Sequence, residues 1–146
     1  IMMLETAIAA IGLQMTCLAT AIFFEARGEP LVGQLAVASV VINRTHDSRW
    51  PNTICDVVKE GPTLAWDKTK PIKHKCQFSF YCDAKSDTPT DPVAFNLAMK
   101  VAEEAWHSYG LSLDIVEGSK FYHSVDVEPK WKYEYVAQIG NHIFYK

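Results

Sequence analysis

From Thr6 to Phe24 the chain carries no charged side chain. A stretch of that length must be hidden from water, either inside a packed domain or inside a bilayer. Its composition favours the domain. Thr6, Gly12, Gln14, Thr16, Cys17 and Thr20 interrupt the run, no positively charged segment precedes it, and no small-residue cleavage site is evident. Leu13, Cys17, Leu18, Ala21 and Phe24 recur at helical spacing. The segment therefore reads as a core helix from near Glu5 to about Ala26, apolar nearly all round. No stable membrane span is expected.

A chain of 146 residues can bury one usable core, so residues 1–146 are expected to form a single domain, acting as a monomer. A net charge of -3 argues against a dominant nucleic-acid footprint. Lys68, Lys70, Lys73, His74 and Lys75 make one local basic cluster, which reads as a solvated loop.

Gly28 breaks the first helix, and Pro30 suits the first turn of a second, where its missing N–H costs nothing. Leu35, Ala38, Val41 and Ile42 give that helix an apolar stripe, with Asn43 and Arg44 near its end. Residues 59–91 read as irregular and polar. A loop this long in a compact domain is functional or tied down. A third helix has clear boundaries: Asp91 as cap, Pro92 as first residue and Gly110 as terminator. Its buried stripe is expected to be Ala98, Val101, Ala102, Ala105, Trp106 and Tyr109. The tail changes period. Lys120 to His123 looks strand-like, and Gly140-Asn141 between two further strand-like runs fits a type II′ hairpin. The expected class is α+β, mainly helical, with a small antiparallel β element.

The chemistry-bearing run is Phe23-Phe24-Glu25-Ala26-Arg27-Gly28-Glu29-Pro30. A carboxyl beside aromatic surface at a helix C-terminus resists ionisation. Glu25 could then stay protonated near neutral pH and act as a general acid. The competing reading pairs it with Arg27 or a lysine as a surface ion pair. Glu29 is a candidate second carboxylate, of the kind glycosidases use, or a structural group at the start of the second helix. Arg27 reads as a fixed ion-pair partner near the site. Gln77 and Ser79, set among Phe78, Phe80 and Tyr81, suit a sugar groove or a loop pinned by its rings.

Cys17 sits in the apolar run and reads as a buried thiol. One disulfide among Cys55, Cys76 and Cys82 is plausible outside the cytoplasm, with its pairing open. A zinc site from these three and His74 is the rival, although the spacing matches no tight zinc signature. His46, His74, His107, His123 and His142 show no metal-ligand spacing. No serine elbow, phosphate loop or dinucleotide fingerprint is present, and no cofactor or metal is expected.

Taken in order, Ala21 to Pro30, Gly33 to Ala38, Val41-Ile42-Asn43-Arg44, Pro51 to Val58, Cys76-Gln77-Phe78-Ser79 and Ile139 to Tyr145 resemble the SleB-type cell wall hydrolase family. That family includes spore-cortex-lytic enzymes and phage endolysins. The resemblance implies a fold similar to lysozyme and lytic transglycosylases, acting on the glycan strands of peptidoglycan. It implies Glu25 as catalytic acid, with Gln77, Phe78, Ser79 and Tyr122 lining the glycan cleft. It further suggests a phage lysin, made in a host cytoplasm and released during lysis to act on the bacterial wall. Two other classes stay open. One is an N-acetylmuramoyl-L-alanine amidase or metal-dependent peptidase using the Cys and His cluster. The other is a non-catalytic glycan-binding module.

Overall fold

The computed structural model describes residues 2–146. The fold is α+β and mainly helical. Four helices run α1 (Met2–Ala26), α2 (Leu31–Thr45), α3 (Ile54–Val58) and α4 (Pro92–Gly110). A two-stranded hairpin, β1 (Thr63–Leu64) and β2 (Asp67–Pro71), and a 3₁₀ turn (Ser79–Cys82) lie between α3 and α4. The tail forms β3 (Phe121–Ser124), β4 (Tyr135–Ile139) and β5 (His142–Tyr145), an antiparallel sheet in the order β3-β5-β4.

The second half of α1 is the axis of the domain. It packs against α4, α2 and α3. Leu18, Ala19, Ala21 and Ile22 are fully buried there, alongside Ala38, Val41 and Ile42 of α2 and Val101 and Ala102 of α4. A second apolar group joins Ala36, Val37 and Val40 of α2 to Val116 and to Phe144 of β5. This group seats the sheet on α2. The expectation of a core helix holds only from Gln14 onward. Met2 to Leu13 are exposed, although by length and composition α1 could cross a membrane. An apolar run without periodicity has no preferred face, so its sequence does not report which turns are covered.

Helix α1 stops where it must. Pro30 disfavours helical backbone at Glu29, and the Glu29 N–H closes a turn onto the Ala26 carbonyl at 2.9 Å. Pro30 is the N-cap of α2 (φ -59, ψ 159), one position earlier than its expected place in the first turn. Helix α4 has the boundaries expected of it: Asp91 accepts from the Ala94 N–H at 3.0 Å and Pro92 is the first residue. Trp106, however, is exposed, so the buried stripe is narrower than the sequence suggested. The β4–β5 hairpin forms across Gly140-Asn141, with Gly140 at φ +59.

Two disulfides, Cys17–Cys55 and Cys76–Cys82, account for all four cysteines. Cys17 is therefore not the free buried thiol its surroundings suggested, and there are two bridges rather than one. The first ties α1 to α3 beside a bond from the Cys55 N–H to Gln14 Oε1 at 2.9 Å. The second closes a short loop whose importance lies in what it contains.

Candidate active site

Residues of five different segments meet in an open cleft of about 280 Å³, lined by Glu25, Arg44, Gln77, Phe78, Ser79, Phe121, Tyr122 and Trp131. Five of the residues expected at a glycan site, Glu25, Gln77, Phe78, Ser79 and Tyr122, are brought together here. Glu29 and Arg27 are not among the lining residues.

Glu25 arrives on the penultimate position of α1, whose last turn carries no basic residue. Phe23 and Phe24 precede it. Phe24 stacks on Phe80 at 4.8 Å, and Phe23 meets Phe24 edge-on at 5.0 Å. Glu25 is thus set in apolar surroundings, and burial raises its pKa from 4.5 to about 7. The ion pair that could have competed for it does not form. Arg27 turns away to Asp91 at 2.6 Å and lies over the Phe23 ring. Among the described residues no ion pair or hydrogen bond engages the Glu25 carboxyl.

The Gln77-Phe78-Ser79 wall is held by covalent and polar ties. Cys76–Cys82 brackets it. The Gln77 N–H donates to the Glu60 carbonyl at 3.0 Å, and the His74 N–H donates to the Cys82 carbonyl at 2.9 Å. Gly61 permits the close approach: a Cβ there would lie 2.9 Å from Cys76 Cα. Phe78 itself is almost wholly buried and belongs mainly to the core, offering the cleft only part of its ring.

The opposite wall is β3. Its position follows from Asn43 and Arg44 at the end of α2. Asn43 Nδ2 donates to Asp114 Oδ2 at 2.9 Å and to the Ser119 carbonyl at 3.0 Å. Arg44 Nε donates to the Lys120 carbonyl at 2.8 Å. Phe121 and Tyr122 follow directly. Burial, with the nearby Glu25 charge second, pushes the Tyr122 phenol well above its ordinary pKa, so it remains a hydrogen-bond donor. Arg44 is buried between Trp50 and Phe78, which lie 5.3 and 5.7 Å from its guanidinium carbon. Among the described residues no carboxylate bonds to it, although the Glu60 charge acts on it from farther off, and it presents a positive charge to the cleft. Nothing in the sequence singled out Arg44, Phe121 or Trp131 for this site. A lone arginine at a helix end and two rings in a tail have no local signature.

Glu29 has a different assignment. Its carboxylate accepts from the Asn141 N–H at 2.7 Å and from Asn141 Nδ2 at 3.1 Å, and it lies 3.3 Å from His142 Nδ1. Its side chain is only 7% exposed. Burial holds the His142 imidazole below its ordinary pKa, and Glu29 opposes that. Glu29 thereby locks the β4–β5 hairpin against the α1–α2 corner, and Gly140 leaves room for it. The zinc donors envisaged from Cys55, Cys76 and Cys82 are consumed as disulfides. Among the described residues no three His, Cys, Asp or Glu side chains converge as a metal-binding set.

The chain compares with known proteins as follows. A family model described as Cell Wall Hydrolase matches residues 28–145. Spore cortex-lytic enzymes of Bacillus cereus and of Bacillus subtilis (strain 168) are each 46% identical over 43 residues. That stretch is 30% of this chain but only 17% and 14% of those proteins. Two solved structures share the fold along most of the chain, each with a TM-score of 0.68 and 26% identity. The catalytic domain of the germination-specific lytic transglycosylase SleB from Bacillus anthracis covers 91% of this chain, and 93% of that domain is matched. The catalytic domain of the Bacillus cereus SleB protein covers 91% likewise, with 89% of it matched.

Proposed function

The chain belongs to the cell wall hydrolase family, and from that premise we propose that it cleaves peptidoglycan glycan strands between N-acetylmuramic acid and N-acetylglucosamine, with Glu25 as general acid. The observation that carries this reading is the cleft itself. Glu25 is its single lining carboxyl, and burial raises that carboxyl to about 7. Such a group can hold a proton at neutral pH and deliver it to a leaving oxygen.

The first step passes the Glu25 proton to the glycosidic oxygen as the bond to the muramic C1 breaks. Positive charge builds on C1. Retaining and inverting glycosidases meet that charge with a second carboxylate, but Glu29 is occupied by Asn141 and His142. The substrate's own acetamido oxygen can stabilise C1 instead. The muramic C6 hydroxyl then attacks C1, and Glu25, now ionised, takes the hydroxyl proton back. The product is a 1,6-anhydromuramic end, and the reaction consumes no water. Gln77, Ser79 and the Tyr122 hydroxyl supply polar groups for orienting the sugars, between the apolar faces of Phe78 and Phe121. The solved lytic transglycosylase domain of the same fold supports this chemistry by analogy.

Two disulfides suit a protein that works in an oxidising compartment, as a wall-cutting enzyme must. A phage-lysin role rests on the sequence resemblance alone. Mass spectrometry of purified peptidoglycan after digestion tests the chemistry. Anhydromuramic ends are expected. Hydrated muramic ends alone would replace the intramolecular attack with hydrolysis. Released stem peptides would overturn glycan cleavage in favour of an amidase.

A further inference from the structure

The cleft does not end at its lining residues. Trp131 of the β3–β4 connection lines it with Phe121, and a band of rings continues outward from this pair. Tyr133 lies flat on Phe121, with centroids 3.9 Å apart and 6° between the planes. Trp131 sits 5.6 Å from Tyr133 and 5.5 Å from Tyr145. Tyr135, on β4, meets Tyr145 edge-on at 6.2 Å.

These rings are well packed on one side and bare on the other. Trp131 is 39% exposed, Tyr133 43% and Tyr135 60%. A loop pinned down for its own stability would turn such faces inward, because apolar area left in water forgoes the gain of burial. A contiguous exposed patch of this kind marks a binding surface. Its chemistry narrows the ligand. A pyranose ring offers a C–H face that stacks on an aromatic plane, and polar groups around its edge. Trp131 is tilted 63° from Tyr133, and Tyr135 stands edge-on to Tyr145, so the rings present apolar surface in more than one direction along the band. Exposed Lys130 and Lys132 flank Trp131, while exposed Glu134 separates Tyr133 from Tyr135, so positive charge suited to carboxylates hanging from a strand lies at the Trp131 end of the band.

We propose that Trp131, Tyr133 and Tyr135 form a platform that carries the glycan strand beyond the scissile bond. N-acetylhexosamine rings of the strand pack their C–H faces on the exposed parts of these aromatic side chains, and Lys130 and Lys132 meet carboxylates of the peptide stems. The proposal rests on the reading of the Glu25 cleft as a glycan-cleaving site, and it adds a reason for the enzyme to prefer long strands.

The test measures binding in the Glu25→Gln background, so that the strand is not consumed. Sedimentation with purified peptidoglycan and titration with a soluble N-acetylglucosamine hexasaccharide give two affinities. Adding Trp131→Leu or Tyr133→Leu is expected to weaken both by about fivefold to tenfold, the loss of one aromatic anchor. Trp131→Phe, which keeps a ring face, retains most of the affinity and guards against a merely structural effect. Trp66→Ala, on an exposed ring of the β1–β2 turn far along the chain, serves as the control and changes neither. Lys130→Gln with Lys132→Gln weakens binding to peptidoglycan but not to the neutral hexasaccharide. Unchanged affinity in the Trp131 and Tyr133 variants, alongside normal strand cleavage by the wild type, overturns the platform and leaves the Glu25 reading intact. A wild type that binds strands through these rings without cutting them supports the platform and overturns the cleavage reading.

Discussion

Replacing Glu25 with glutamine should stabilise the folded protein at alkaline pH while it removes activity. The reasoning starts from the carboxyl's surroundings. Burial raises its pKa from 4.5 to about 7. Below 4.5 the folded and unfolded chains both hold the proton. Between 4.5 and about 7 the unfolded chain releases it while the folded chain retains it, so stability falls as pH rises through this window. Above about 7 the folded chain carries a desolvated charge, and the penalty is constant. At about 1.4 kcal/mol per pH unit the full effect is about 3 kcal/mol. Glutamine fills the same space without ionising. Thermal melts of the wild type and Glu25→Gln with disulfides intact, taken from pH 4 to pH 8.5, measure the difference. The two proteins should melt together at pH 4. By pH 8.5 the variant should melt roughly 6–12 °C higher, the shift that about 3 kcal/mol produces in a domain of this size. A variant that melts at the same temperature as wild type at both ends of the range would show that Glu25 is not held in a destabilising site. A lower melting temperature at pH 8.5 would mean that the carboxylate has a favourable partner, and the acid reading would lose its physical basis.

The same group sets the pH dependence of the reaction: kcat/KM should be level below about 7 and fall tenfold per pH unit above it, as the acid is titrated away. A profile that rises through pH 7 contradicts a protonated Glu25. The two disulfides should separate stability from activity. Cys17→Ser with Cys55→Ser opens a link spanning 38 residues and should cost about 4 kcal/mol in denaturant unfolding, whereas Cys76→Ser with Cys82→Ser, spanning six, should cost about 2 kcal/mol. The second pair should nevertheless lose more turnover, because it unties the Gln77–Ser79 wall. Glu29→Gln replaces one of the two oxygens that accept from Asn141 with an NH2 donor and should destabilise by about 2 kcal/mol. It should keep most of its turnover at a temperature where it is folded. A loss matching that of Glu25→Gln would restore Glu29 as a second catalytic carboxylate.

What could be read in advance depended on whether the deciding interactions were local. Helix α4 and the Gly140-Asn141 hairpin were legible because their signals sit within a few residues. Asp91 bonds a backbone three positions on, and Gly140 supplies a positive φ. The β1–β2 hairpin was missed. Its longer strand, Asp-Lys-Thr-Lys-Pro, has no apolar alternation and is exposed over its middle three residues. The exposed half of α1 was missed for the opposite reason, an excess of apolar residues with no period. The disulfide partners lie on different elements, and Cys17–Cys55 depends on α1 passing beside α3. At the site, Glu25 could be proposed from its aromatic neighbours, and the family resemblance pointed to Gln77, Ser79 and Tyr122. Phe121 and Trp131 lay outside the motifs that carry it, and Arg44 stood inside one without a role at the site. They enter the cleft only because Asn43 and Arg44 bond to the backbone of residues 119 and 120, and because the β3–β4 connection folds back over its own strand.

The most direct test of the central claim is the rate at which Glu25→Gln releases soluble fragments from purified peptidoglycan, measured at pH 6 beside the wild type and with folding verified by the melts above. Loss of about 10³-fold is expected for removal of a general acid that has no substitute in the cleft. Release at a rate within a few-fold of wild type would contradict the assignment of the acid to Glu25.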